Sequence, residues 1–278
     1  MTKEEARAKF AEMIARNEND VELDRAALLI AAEEYPHLDV EKYLDQIVAF
    51  AELAGARDDI QADPRTRIMR LSDLLFDELG FHGNVENYFD ARNSFLNDVI
   101  DRRTGIPITL SVLFIEIARR IGLKLFGVGM PGHFIVKFVG DGHEILVDPF
   151  NGGRLLSEEK CREMIEEIYD SQMKFHPAFL YAVTKKQMLA RMLQNLKGIY
   201  ARSGDHYKTL GTIERAMMID PESANELRDR GLVYSGMSRH AAALADLEEY
   251  LRRAPQAADA KEIKERVKLL RQTQAQLN

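Results

Sequence analysis

Among the seven histidines and single cysteine of this 278-residue chain, His133 in "GMPGHFIVKF" and Asp148 in "EILVDPF" have the types and spacing for acid–base chemistry. An imidazole beside a carboxylate can take a proton from a nucleophile or a water while the carboxylate orients the ring. The intervening "VGDGHE" reads as a hairpin turn with Asp141-Gly142 as a favoured two-residue loop. That register sets His133 opposite Phe150 and Asp148 diagonally across on the same face. A Gly140-Asp141 turn would set His133 directly opposite Asp148, and a three-residue loop would separate the two. A satisfied core histidine is the plainer reading of the same residue.

The other reactive side chains are less well placed. Cys161 follows the aspartate on an acidic amphipathic stretch and reads as a small packing residue. His82 and His143 fall in loops or turns. His133, Asp148 and His143 have metal-ligand types but are scattered about a hairpin, so no metal is expected, and no cofactor. Asn97, Arg102 and Arg103 precede an apolar helix, where Asn97 and Arg103 could line a polar cleft with His133; equally, they could cap the preceding helix.

The elements that must position these residues follow from periodicity and caps. Thr2 with Glu5 and Asn19 with Glu22 read as capping boxes, Asp39 caps a helix ending at Gly55, and Asp63-Pro64 opens another ending at Gly80. "NYFDARNSFLNDVIDRRTG" reads as a helix ended by Gly105. The run Ile106 to Ile121 is interrupted strongly only by Glu116, Arg119 and Arg120. A helix so apolar all round belongs in the middle of a domain, and Pro107 suits its first turn. After Gly122, "LKLFGVGM", "HFIVKF" and "EILVDPF" read as short strands, and "SEEKCREMIEEIYDSQMKF" returns to helix.

From about residue 186 the chain reads as helical with a 34-residue period. Tyr200 and Tyr234, and Pro221 and Pro255, are each 34 apart. Gly231, Tyr234, Ala243, Leu247 and Pro255 sit at the spacing of a tetratricopeptide repeat. The earlier copy carries Lys197 and Thr209 where the later one has Gly231 and Ala243.

Composition bounds the function. The 46% hydrophobic content is ordinary for a globular protein, and no apolar run reaches a membrane span. The first residues show no signal-peptide core, and one cysteine allows no internal disulfide, so a cytoplasmic setting is expected. The net charge of -7 argues against nucleic-acid binding. It divides into a formal +5 over residues 185–278 (17 Lys+Arg, 12 Asp+Glu) and -12 before them (21 and 33). Such a split steers an acidic partner or makes the halves attract.

The stretch "FLNDVIDRRTGIPITLSVLFIEIARRIGLKLFGVGMPGHFIVKF", followed by "ILVDPFNGG", closely resembles SirB-type bacterial proteins, which join a transglutaminase-like core to tetratricopeptide repeats. The resemblance implies that His133 and Asp148 match the histidine and aspartate of the wider transglutaminase and papain-like superfamily. There a cysteine begins the buried helix, and the helix N-terminus lowers its thiol pKa. Counting back fifteen residues from Gly122, the usual spacing of that helix, lands on Pro107. A proline thus fills the nucleophile slot. Ser111 lies one turn on, about 6 Å deeper along the axis, where a serine more often bonds its own i−4 carbonyl. Thr109 points elsewhere.

The sequence therefore predicts an α+β, mostly helical protein. Residues 1–90 form an N-terminal helical region, 91–180 a transglutaminase-like core with a small antiparallel sheet, and 186–278 the repeats with a capping helix. The expected function is non-catalytic binding or regulation, with a protein or peptide partner on the repeats and a small ligand in the core cleft. The alternative is a hydrolase or acyl-transfer enzyme in which His133 and Asp148 work without the cysteine. No nucleic-acid or membrane partner is expected, and the oligomeric state stays open.

Overall fold

A helix that is apolar on every side needs neighbours on every side, and the first half of the fold supplies them. The computed structural model describes residues 1–140 and 142–277. The chain divides into two compact units, Met1–Met192 and Leu193–Asn278. Both the 1–90 and the 91–180 stretches fall in the first.

The first unit opens with α1 (Lys3–Ala15), α2 (Leu23–Ala32), α3 (Val40–Gly55) and α4 (Pro64–Ser72). Thr2 and Glu5 close a full capping box, Asp39 accepts from the Lys42 amide, and Asp63 accepts from the Thr66 amide ahead of Pro64. The Asn19–Glu22 box does not form. Glu22 itself takes the N-cap position of α2, and its carboxylate is engaged by Arg16 and Arg25. After α4 the backbone widens into a π-helical turn over Asp73–Glu78.

Two short strands, β1 (His82–Gly83) and β2 (Thr104–Gly105), pair in parallel and flank α5 (Leu96–Arg102). The helix expected over 87–105 is thus shorter than its pattern suggests. The Asn93 side chain donates to the carbonyls of Asn87 and Tyr88, and Asp90 accepts from the Arg92 amide. These local bonds compete with helix and leave a 3-10 turn at Ala91–Ser94. The end comes at Arg103, in the left-handed region at φ 56°.

Next comes α6 (Pro107–Arg120), in which every residue from Pro107 to Ala118 is buried. It packs against α2, α3, α5 and the sheet. Its one buried charge, Glu116, accepts from Arg119 and Arg120, and Arg120 also reaches Asp24 on α2. These partners offset the desolvation cost only in part: burial, with the Asp24 charge adding, still raises the Glu116 carboxyl above its usual range.

The sheet comprises β3 (Leu125–Val128), β4 (Ile135–Gly140), β5 (His143–Asp148), β6 (Arg154–Leu156) and β7 (Ala182–Val183), all antiparallel in the order β6-β5-β4-β3-β7. Gly140 pairs with His143, the register of a two-residue connection. Asp141, the first residue of that turn, lies outside the described residues. Packed beside the sheet is α7 (Glu158–Ile168), which buries Cys161, Met164 and Ile165 against Val128, Met130 and Ile135.

The helix α8 (Lys185–Ser203) runs across the boundary between units, and the second unit continues with α9 (His206–Ile219), α10 (Ala224–Gly236), α11 (His240–Arg253) and α12 (Ala260–Leu277). Pro221 and Pro255 lie just beyond the ends of α9 and α11, as a repeat of paired helices requires. Gly231 lets α10 approach α11: a Cβ there would lie 2.8 Å from the Leu247 side chain. At the matching earlier position Lys197 is not packed as a small residue. It reaches over to Glu226 and Asp229 on α10, at 2.7 and 2.6 Å.

Candidate functional site: a histidine–aspartate pair at the start of the buried helix

His133 is placed by a tight turn. Its amide donates to the Met130 carbonyl at 3.2 Å, with Pro131 and Gly132 between. Gly132 has φ +71°, and a Cβ there would press on Ile168 at 2.6 Å. Proline second and left-handed glycine third is the type II pattern, so "PGH" encodes the ring's position. The histidine then lies two residues ahead of β4. Asp148 ends β5 and caps the 3-10 turn Pro149–Asn151 by accepting from the Asn151 amide at 3.3 Å.

These two elements bring the side chains together. His133 Nε2 lies 3.0 Å from Asp148 Oδ1, with His133 7% exposed and Asp148 fully buried. The register continues to set His133 across from Phe150, and the two rings meet edge to face with centroids 5.9 Å apart. Asn151 Nδ2 donates to Asp148 Oδ2 at 2.7 Å, and Arg154 stands 3.6 Å from the same oxygen. Burial alone would raise the Asp148 pKa, but the hydrogen bond and charge of His133, then Asn151 and Arg154, outweigh it and hold the carboxyl below its usual range. With Nε2 engaged by the carboxylate, Nδ1 is the ring nitrogen with no protein partner among the described residues.

The helix α6 packs against the 3-10 turn that follows Asp148. Gly83 pairs with Gly105, two residues before Pro107, and a Cβ on Gly83 would fall 2.6 Å from the Phe150 ring. Pro107 is the first residue of α6. It offers neither a side-chain heteroatom nor an amide hydrogen. Ser111 Oγ donates to the Pro107 carbonyl at 2.7 Å, which is the i−4 bond expected of a buried helical serine. Thr109 Oγ1 donates to Asn93 O at 2.8 Å and accepts from the Ile106 amide at 3.1 Å. Both hydroxyls are committed to backbone. Cys161 is buried, and burial, with the Asp148 charge adding, pushes its thiol up to about 11.

Asn97 and Arg103 do not hydrogen-bond to the pair. Arg103 is stacked between Phe50 and Phe81, 4.6 Å from each ring centroid, and burial lowers its pKa. Asn97 is 5% exposed. Asn97 Oδ1 and Arg103 Nη1 are both buried without a hydrogen-bond partner. The sequence register had already set Phe150 opposite His133; the supports missed at the sequence level are Asn151, Arg154 and Gly83. Asn151 was visible in "DPFNGG" as a residue suited to a turn, and the others carried no local signal.

The sequence that folds into this arrangement has counterparts among known proteins. The family model of the transglutaminase-like superfamily matches residues 40–194. The chain belongs to that superfamily. A tetratricopeptide-repeat model matches residues 196–268. A UPF0162 protein of Xylella fastidiosa is 37% identical, over 82% of this chain and 83% of its own. A UPF0162 protein of Vibrio cholerae is 28% identical over 85% of each. The mouse F-box only protein 21 is 34% identical over 47% of this chain and 21% of its own length. Among the described residues no helix is long and apolar enough to cross a membrane.

Proposed function

We propose that this transglutaminase-like protein is non-catalytic and acts as a binding or regulatory module in the cytoplasm, as the SirB-type resemblance suggests. One observation carries the reading: Pro107 starts α6, in the slot where spacing puts the superfamily's cysteine. The substitution removes the thiol. It also removes the amide hydrogen that a helix start would otherwise turn toward an oxyanion. The hydroxyls in the first turns of α6, on Ser111 and Thr109, are bound to backbone oxygens. On this reading His133 and Asp148 persist as a vestigial pair that now holds β4 and β5 together at their ends.

Asn97 and Arg103 are the residues proposed to meet a small ligand, because Asn97 Oδ1 and Arg103 Nη1 are buried and unsatisfied. The tetratricopeptide repeats are proposed to bind a protein or peptide partner, since paired helices present a groove to an extended or helical segment. That 47% of this chain also matches a fifth of an F-box protein supports the use of part of this chain as a module within different proteins.

The test restores what is missing. Pro107→Cys should yield a thiol that iodoacetamide alkylates quickly at neutral pH, and adding His133→Ala should slow it at least tenfold. No change in rate between the single and double variants would remove Pro107 from the slot. A second reading, water activation by His133 and Asp148, is favoured by the intact 3.0 Å contact and the free Nδ1. It requires ester or amide hydrolysis by the native protein that His133→Ala abolishes.

A further inference from the structure

We propose that the outer edge of β3 at Leu125 and Phe126 docks an extended peptide bearing a carboxylate, added antiparallel to β3 where β7 stops short. The sheet ends unevenly on this side. β7 covers only Gly127 and Val128 of β3, through Val183 and Ala182. The same register would set Thr184 opposite Phe126 and Lys185 opposite Leu125. Neither continues the ladder. The Thr184 amide donates to Gln187 Oε1, and the Lys185 amide donates to Glu18 Oε1 as the chain turns into α8.

In an antiparallel ladder successive residues turn their backbone groups to opposite sides. One of Leu125 and Phe126 therefore presents its N–H and C=O outward, toward an unpaired edge. A cavity of 630 Å³ lies along this stretch, lined among others by Leu125, Phe126, Ile115, Val183 and Met188. That volume is within the usual range of ligand pockets, about 300–1,000 Å³.

The chemistry of the lining selects the occupant. An unpaired strand edge asks for a second backbone, with donors and acceptors at strand spacing, which a lipid or sugar does not supply. Apolar walls ask for apolar side chains at alternate positions. Charge asks for a carboxylate. Glu116 is answered by Arg119 and Arg120, and Glu18 by the Lys185 amide. Lys124, exposed at the rim and 5.2 Å from the Phe126 ring centroid, has no carboxylate partner among the described residues.

The experiment uses the full chain and a fluorescein-labelled peptide of alternating valine and glutamate, blocked at its C-terminus. Its anisotropy should rise on binding. The lysine-for-glutamate peptide, a copy N-methylated at alternate residues, and the Lys124→Glu protein should each weaken binding at least tenfold. Amide exchange at Leu125 or Phe126 should slow at least tenfold with peptide bound. Lys124 is exposed, so its replacement leaves the fold intact, and exchange elsewhere in the chain checks this. No binding up to millimolar peptide, or binding indifferent to Lys124 and without amide protection, overturns the proposal. Lys124-dependent binding of octanoate without that protection overturns it too, and assigns the cavity to a fatty carboxylate.

Discussion

The Phe150 ring fills the space that a Cβ on Gly83 would need, and the same ring meets the His133 imidazole edge to face. One aromatic side chain thus joins the parallel bridge β1–β2, just ahead of α6, to the histidine–aspartate pair. Gly83→Ala forces a methyl to within 2.6 Å of Phe150 ring and backbone atoms. Overpacking of this kind costs about 1–3 kcal/mol. Urea unfolding should show that loss, and the His133 ring protons should shift in the NMR spectrum as Phe150 moves. An unchanged stability and spectrum would mean that β1 does not brace the site.

The pair itself should be structural whether or not it is catalytic. His133→Ala leaves the fully buried Asp148 with only Asn151 and the more distant Arg154. Removing one partner of a buried pair typically costs about 3–5 kcal/mol, and the residual bonds here favour the lower figure. A chemical denaturation midpoint equal to that of the parent protein would contradict this.

The pH dependence has a defined sign. The folded Asp148 carboxyl ionises below its ordinary value, so its contribution is complete above the unfolded pKa of about 3.9 and is lost as pH falls through the folded value. Asp148→Asn should therefore differ most from the parent at neutral pH, and the gap should narrow as pH is lowered toward about 3. A gap that widens on acidification would reverse the assignment.

Much of this site was legible because it is built from local bonds. Asp39 and Asp63-Pro64 specify helix starts, and Ile106–Ile121 specifies a buried helix; each depends on residues within one or two turns. Ser111 followed the same logic, since its acceptor is four residues away. Legibility ended where the partner is distant in sequence. Arg103 lies between Phe50 and Phe81, rings brought from α3 and from the chain after α4, and nothing near residue 103 announces them. Asn19 with Glu22 has the letters of a cap, but Arg16 and Arg25 claim the glutamate. The segment 87–94 has helical letters too, and Asn93 and Asp90 divert its backbone into a turn.

Cys161 tests the view that no native thiol serves the pair. It is buried among Met130, Ile135 and Ile165, with its thiol pushed up to about 11. At about pH 8 almost none is thiolate. Iodoacetamide should leave the folded protein unmodified and label one site once concentrated urea opens the core. Rapid labelling without denaturant would show a reactive cysteine that this packing does not provide.

The second unit offers a prediction independent of the first. Gly231 on α10 faces Leu247 and Asp246 on α11, and an added Cβ would stand 2.8 Å from the Leu247 branch carbon and 3.2 Å from Asp246 Cβ. Beside this contact, Arg230 holds Asp246 through two bonds of 2.7 and 2.8 Å. Gly231→Ala gains helix propensity, worth about 1 kcal/mol, but pushes the helices apart against a buried leucine and strains that ion pair. The packing term is the larger where backbone approach is this close, so Gly231→Leu should destabilise more than Gly231→Ala, by at least about 1 kcal/mol. Calorimetry should show the loss in the transition of residues 193–278 while the Cys161 protection of the first unit is retained. Equal stability of the alanine and leucine variants would mean that α10 and α11 do not depend on this glycine for their approach.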